Sequence, residues 1–250
     1  MIFNPTKNHR RSIRLKGFDY SEPGHYFVTI CSKQRKCLFG NVVHGVMKLS
    51  HIGNVVNTCW EAIPEHFEHV NVDTFQIMPN HLHGIINIRD HVGCVESVGV
   101  EYIQPLQGKS IRSTQRKLKK HHTYQHVIPK SIGSIIRTFK AAVTRKVHDC
   151  NDMIRQSIWQ RNYYDHIIRD DVSLFFIQQY IELNPMLWHL DFDNPAIHST
   201  TLDVLEKTLR EKYGIKDQAL AYIIDCELEY RAWHEKEEEA EQNNRTNRTN

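Results

Sequence analysis

Apolar residues along the chain recur at two periods, and the switches between them mark out its elements. Tyr26-Phe27-Val28-Thr29-Ile30-Cys31 is β-branched and aromatic and follows the turn residues Pro23-Gly24, which predicts a buried strand. A second strand is predicted around Leu38 to Leu49, interrupted by Gly40-Asn41 and Gly45. Ser50 then stands as an N-cap, because Ile52, Val55, Val56, Cys59, Trp60 and Ile63 follow at helical spacing up to a stop near Pro64 to Phe67. Val70 to Ile77 and His81 to Ile88 read as two strands of a hairpin joined through Pro79-Asn80.

Beyond residue 130 the helical period dominates. Ser131 caps a helix with the stripe Ile132, Ile135, Ile136, Phe139, Ala142 and Val143, and Ile158 to Arg169 is extended. Asp170-Asp171 opens a helix carrying Leu174, Phe175, Ile177 and Ile181, which Asn184-Pro185 is expected to end. Two further helices are predicted over Leu202 to Tyr213 and Asp217 to Trp233. The pattern divides the chain into a basic arm (1–25), a core (26–190) interrupted by a long insertion loop (90–130), a helical extension (191–234) and a charge-rich tail (235–250) expected to be disordered.

Composition narrows the class. Of the residues 40% are hydrophobic, enough for a real core, and the net charge is only +3. Its distribution says more, since between Lys109 and Arg169 basic residues outnumber Asp149, Asp152 and Asp165 several-fold. A basic middle on a near-neutral protein suits a phosphate-bearing partner. Cys31, Cys37, Cys59, Cys94, Cys150 and Cys226 show no Cys-x-x-Cys spacing, which argues against a zinc ribbon and for reduced thiols. With neither a signal-peptide core nor an apolar run long enough to span a bilayer, the expectation is a cytoplasmic protein without membrane contact.

The chemistry concentrates in Met78-Pro79-Asn80-His81-Leu82-His83-Gly84. On a strand, side chains alternate faces, so His81 and His83 point the same way and offer two imidazoles to a divalent metal, while Leu82 enters the core. Gly84 leaves room for a backbone or a ligand to approach. His121-His122, in the insertion, is a poorer metal candidate. Tyr180 and Asn184, one turn apart on a helix, share a face, so the amide can serve as a third ligand and the phenol as a nucleophile beside the metal. Tyr163 and Tyr164 are rival nucleophiles, or bases could stack on them. A metallo-β-lactamase-like site is disfavoured by Ile85, where a carboxylate is needed.

The chain resembles the HUH single-strand transposases with one catalytic tyrosine, and most closely their REP-associated tyrosine transposase branch. Five separated blocks carry the resemblance: Arg11 to Tyr20, Tyr26 to Cys31, Met78 to His83, Trp159 to Arg169 and Gln179 to Pro185. It implies an α+β, ferredoxin-like antiparallel sheet with helices on one face, followed here by a helical C-terminal extension outside the common core. It further implies that His81, His83 and Asn184 hold Mg²⁺ or Mn²⁺, that Tyr180 forms a 5′-phosphotyrosine and frees a 3′-hydroxyl, and that Asp165 and His166 support the site. Single-stranded or hairpin DNA is the implied substrate. By position, Arg11, Arg14, Lys16, Arg137, Lys140, Arg145, Lys146, Arg161, Tyr163 and Tyr164 would bind it, on a protein that is more readily a monomer than a dimer. The alternative is a domesticated nucleic-acid-binding protein of the same fold without turnover.

Overall fold

The computed structural model describes residues 18–90, 128–150, 157–197 and 201–249. Arg11, Arg14 and Lys16 of the arm, and residues 91–127 of the insertion with His121-His122, lie outside the described residues.

Four strands form one antiparallel sheet: β1 (Gly24–Cys31), β4 (Val70–Ile77), β5 (His81–Ile88) and β6 (Tyr164–Ile168), in the spatial order β4-β5-β1-β6. With a helical connection after the first strand and another before the last, this is the ferredoxin-like order, and α+β is the observed class. The predicted second strand is a separate hairpin, β2 (Gly40–Val43) and β3 (Val46–Leu49). His44 and Gly45 both adopt positive φ at its tip, as a tight two-residue hairpin turn requires.

The strand period divides the apolar residues between two faces. Tyr26, Val28 and Ile30 of β1 and Leu82, Ile86 and Ile88 of β5 pack with α1 (His51–Glu61) and α3 (Ile132–Cys150). Ser50 caps α1 by accepting from the Gly53 N–H at 3.0 Å. Between α1 and β4 lies the single turn α2 (Ile63–His66). Trp60 of α1 occupies the space above Gly84, where an added Cβ would come within 2.4 Å of the indole, so a tryptophan and not a ligand uses that gap.

Phe27, Cys31 and Ile85 face the other way, with His81 and His83, and are covered by α4 (Asp171–Leu187) and α6 (Asp217–Thr249). The crossover helices thus occupy one face, and the candidate tyrosine helix and the extension close the other. Asp170 caps α4 through the Ser173 N–H at 2.8 Å. Pro185 does not end the helix, which runs on to Leu187 and a 3-10 turn at Trp188–Leu190; proline already has helical φ and removes only one N–H in the last turns. Phe175 is 56% exposed: two residues from Ile177, it lies on the far side of α4.

α5 (Leu202–Tyr213) matches its predicted bounds and ends on Gly214 in the left-handed conformation. Residues 235–249, expected as a disordered tail, instead continue α6 as a helix. The Glu, Lys and Ala content of Glu235 to Ala240 favours helix, and tertiary contacts hold its start, with Asn162 donating to Glu237 and Arg35 Nη2 4.0 Å from Glu238.

Candidate metal and tyrosine site

His81 and His83 project from β5 between α4 and the sheet, both essentially buried, and their Nε2 atoms lie 3.0 Å apart. Each ring is held from behind. Asn80 donates through Nδ2 to the backbone carbonyls of Arg35 (3.1 Å) and Asp193 (2.6 Å), which fixes its amide orientation and leaves Oδ1 facing His81 Nδ1 at 2.9 Å. An amide oxygen only accepts, so His81 Nδ1 carries a proton and Nε2 of the neutral ring is a bare lone pair. His83 Nδ1 lies 2.8 Å from Thr29 Oγ1, a hydroxyl that donates or accepts. Without a cation, His83 Nε2–H donates to His81. To ligate a cation through Nε2, His83 would carry its proton on Nδ1, where Thr29 Oγ1 can accept it.

Burial first, then the Arg35 charge, pulls the His81 pKa down to about 3. Burial and His81 itself hold His83 well below the ordinary histidine range. Both rings are therefore neutral near pH 7, the form that ligates metal. Two carboxylates approach from the segment after α4. Asp191 Oδ2 is 3.7 Å from His81 Nε2, and Asp193 Oδ2 is 3.7 Å from His81 Nδ1. They are not equivalent. Asp193 pairs with Arg35 Nε at 2.9 Å and accepts from the Tyr230 hydroxyl, whereas Asp191 Oδ2 lies on the bare-nitrogen side of His81. Burial, then Asp193 and Glu227, push the Asp191 carboxyl well above its ordinary range. A cation would relieve that crowding of acids. Ligand atoms of His81, Asp191 and Asp193 lie within 4.8 Å of one another, and His83 Nε2 stands beside His81 Nε2 as a second imidazole donor, with Asp191 the carboxylate not already held by Arg35. The donor set, two imidazole nitrogens and carboxylate oxygen, fits Mn²⁺ better than the oxygen-preferring Mg²⁺.

Tyr180 comes to the same place because α4 is pinned across the sheet. A bulge between Val72 and Phe75 of β4 presents Asp73, whose two carboxylate oxygens each accept from Gln178 Nε2 at 3.1 Å. Two residues on, the Tyr180 ring centroid lies 5.6 Å from that of His83 and 6.4 Å from that of Phe27, which stacks on His83. The phenol donates to Glu227 Oε2 at 3.2 Å, and Arg231 Nε holds the other oxygen of that carboxylate at 2.8 Å. Burial, then Glu227 and Asp191, keep the phenol well above its ordinary pKa.

No protein-family model matches the chain. An uncharacterized protein of Haemophilus influenzae strain Rd is 46% identical over 189 residues, spanning 76% of this chain and 95% of that protein. The chain belongs to the family of that Haemophilus protein. Among solved structures, a REP-associated tyrosine transposase bound to a REP hairpin is similar at 15% identity and a TM-score of 0.43, covering 70% of this chain and 73% of that one. A Deinococcus radiodurans protein provisionally named a transposase is similar at 14% identity and a TM-score of 0.36, covering 68% and 96%.

The structure brings His81, His83 and Tyr180 together and separates them from most other residues singled out in the sequence. Asn184 is buried beside Tyr180, and its amide donates to the Tyr180 carbonyl at 3.4 Å. Asp165 pairs with Val28 and so faces the α1 and α3 side of the sheet, away from the histidines. His166 is on the histidine face but engages α6, with Nδ1 3.1 Å from Glu229 and Nε2 3.0 Å from the Tyr222 hydroxyl. Tyr164 is buried against Tyr230 and Trp233, leaving no face for a base, and Tyr163 packs on the α3 side near Lys140. Lys140 is spent on the carbonyls of Gln160 (2.9 Å) and Asn162 (2.7 Å), so it braces a loop and is not free for phosphate. Arg137, Arg145, Lys146 and Arg161 are exposed.

Asp191, Asp193 and Glu227 escaped the sequence reading. Asp191-Phe192-Asp193 carries a weak signal, an Asp-x-Asp pair shortly after the tyrosine helix. Glu227 lies in an acidic helix and carries none. Cys31, Cys37, Cys59, Cys150 and Cys226 are free thiols, and no helix among the described residues is long and apolar enough to cross a membrane.

Proposed function

We propose that this chain cleaves and rejoins single-stranded or hairpin DNA as a monomer, through a covalent 5′-phosphotyrosine on Tyr180. The observation that carries the reading is the convergence of Tyr180 on a pair of neutral histidines whose Nε2 atoms meet at 3.0 Å. Chance placement of a His-x-His pair supplies neither the second tyrosine-bearing element nor the oriented Nδ1 partners behind both rings. His81 Nε2, His83 Nε2 and Asp191 would hold a divalent cation, with Asn184 the further ligand that the family resemblance implies. When bound, such an ion polarises a phosphodiester and stabilises charge on the departing oxygen. Tyr180 supplies the nucleophilic oxygen, Phe27 and His83 hold its ring, and Gln178 fixes its helix to the sheet. Of the cations singled out in the sequence, Arg137, Arg145, Lys146 and Arg161 are exposed and would meet the DNA backbone.

Labelled hairpin DNA incubated with Mn²⁺ or with EDTA tests this. The expected result is a denaturation-resistant adduct that requires Mn²⁺ and disappears in Tyr180→Phe. An adduct surviving in Tyr180→Phe and lost in Tyr163→Phe or Tyr164→Phe would move the nucleophile. The second reading, a DNA-binding protein without turnover, is favoured by how closed the site is, a cavity of about 10 Å³ bounded by Phe27, Thr29, His83, Tyr180, Glu227 and Tyr230. Hairpin binding with no adduct under any of these conditions is its signature.

A further inference from the structure

The extension does more than cover the sheet, because it brings a carboxylate to the oxygen on which the proposed chemistry turns. We infer that Glu227 of α6 is the proton acceptor for Tyr180, an assignment that rests on the nucleophile reading above. Glu227 is only 6% exposed, and a carboxylate so placed has to be held. Its Oε1 takes a charge-assisted bond from Arg231 Nε one helical turn away, at 2.8 Å, and Arg231 is braced in turn with its guanidinium 5.0 Å from the centre of the Phe192 ring. That leaves Oε2 aimed at the phenol, which donates to it at 3.2 Å. Among the described contacts of the phenolic oxygen, this carboxylate is the acceptor, and the bond is already within the range general-base transfer needs. The two residues are 47 positions apart and join through separate helices, so the pairing is tertiary and not a by-product of helix spacing.

The step balances. As the Tyr180 oxygen bonds phosphorus, its O–H bond breaks and the proton passes to Glu227 Oε2. The phosphorus–O3′ bond breaks with its electron pair on O3′, which takes a proton from water to give the free 3′-hydroxyl. On rejoining, a 3′-hydroxyl attacks the phosphotyrosine and gives up its proton to solvent as the O3′–phosphorus bond forms. The phosphorus–phenolic oxygen bond breaks, and Glu227 returns its proton to the departing phenolate. One carboxylate thus serves cleavage as base and joining as acid.

Glu227→Gln separates holding from proton transfer. The glutamine carbonyl can still accept from Arg231, and its amide can still meet the phenol, but it takes no proton. Single-turnover adduct formation on hairpin DNA with Mn²⁺ should fall about 100-fold in Glu227→Gln, with hairpin affinity unchanged. Glu227→Ala should be equally slow and should regain rate when formate is added, the small carboxylate standing in for the missing one. Adduct formation at the wild-type rate in Glu227→Gln, or in Glu227→Ala without formate, would overturn the assignment and leave Tyr180 as nucleophile. Absence of adduct in the wild type would instead overturn the nucleophile reading, and this assignment with it.

Discussion

At the scale of single residues, the site is defined by orientation as much as by identity. Asn80 is the clearest case, since both donors of its amide are spent on backbone carbonyls and its oxygen sets the His81 tautomer. Asn80→Ala should weaken Mn²⁺ binding by about 10–100-fold, measured by calorimetric titration, with both imidazoles still present. Gly84 answers a packing demand next door. Gly84→Ala would drive a methyl into the Trp60 indole and should lower stability by about 1–3 kcal/mol, read from urea denaturation. These two positions were legible in the sequence as a turn asparagine and a strand glycine. Their roles were not, because each depends on a partner distant in the chain.

At the scale of elements, the apolar period placed strands and helices well, and the exceptions have local causes. Pro185 falls where one missing N–H matters little, and the tail combines helix-favouring composition with a contact to Asn162 that the local pattern does not reveal. The basic stripe of α3 shows how a charge count misleads. Lys140 is turned inward against the loop before β6, and burial lowers its pKa to about 8 from 10.5. Between those values the unfolded chain binds the proton that the folded chain has lost, so this residue makes unfolding costlier as pH rises through the window. The stability of the wild type relative to Lys140→Met should therefore increase from pH 7.5 to pH 10, measured by urea unfolding at both.

At the scale of the whole molecule, one sheet separates two environments. α1 and α3 seal one face with an apolar core, while α4 and α6 enclose the histidines, the acids and the tyrosine on the other. Tyr230 and Trp233 stack at 5.8 Å and dock α6 onto Tyr164, which sets the reach of Glu227 to Tyr180. Trp233→Ala should cost about 3–5 kcal/mol by urea unfolding. Under conditions where the variant stays folded, adduct formation should slow while hairpin affinity holds.

By itself the sequence determined the succession of strands and helices along the chain, the shared face of His81 and His83, and the common helix face of Tyr180 and Asn184. These follow from periods of two and 3.6, which are properties of neighbouring residues. Only the tertiary structure decided that Asp191 meets His81, that Glu227 meets Tyr180, that Asp165 faces away and that Lys140 is spent on a loop. Each of those contacts joins residues from different elements. Their distances are set by how the bulge of β4, the tether of α4 to it through Gln178 and the docking of α6 combine, and no local pattern in the chain encodes that combination.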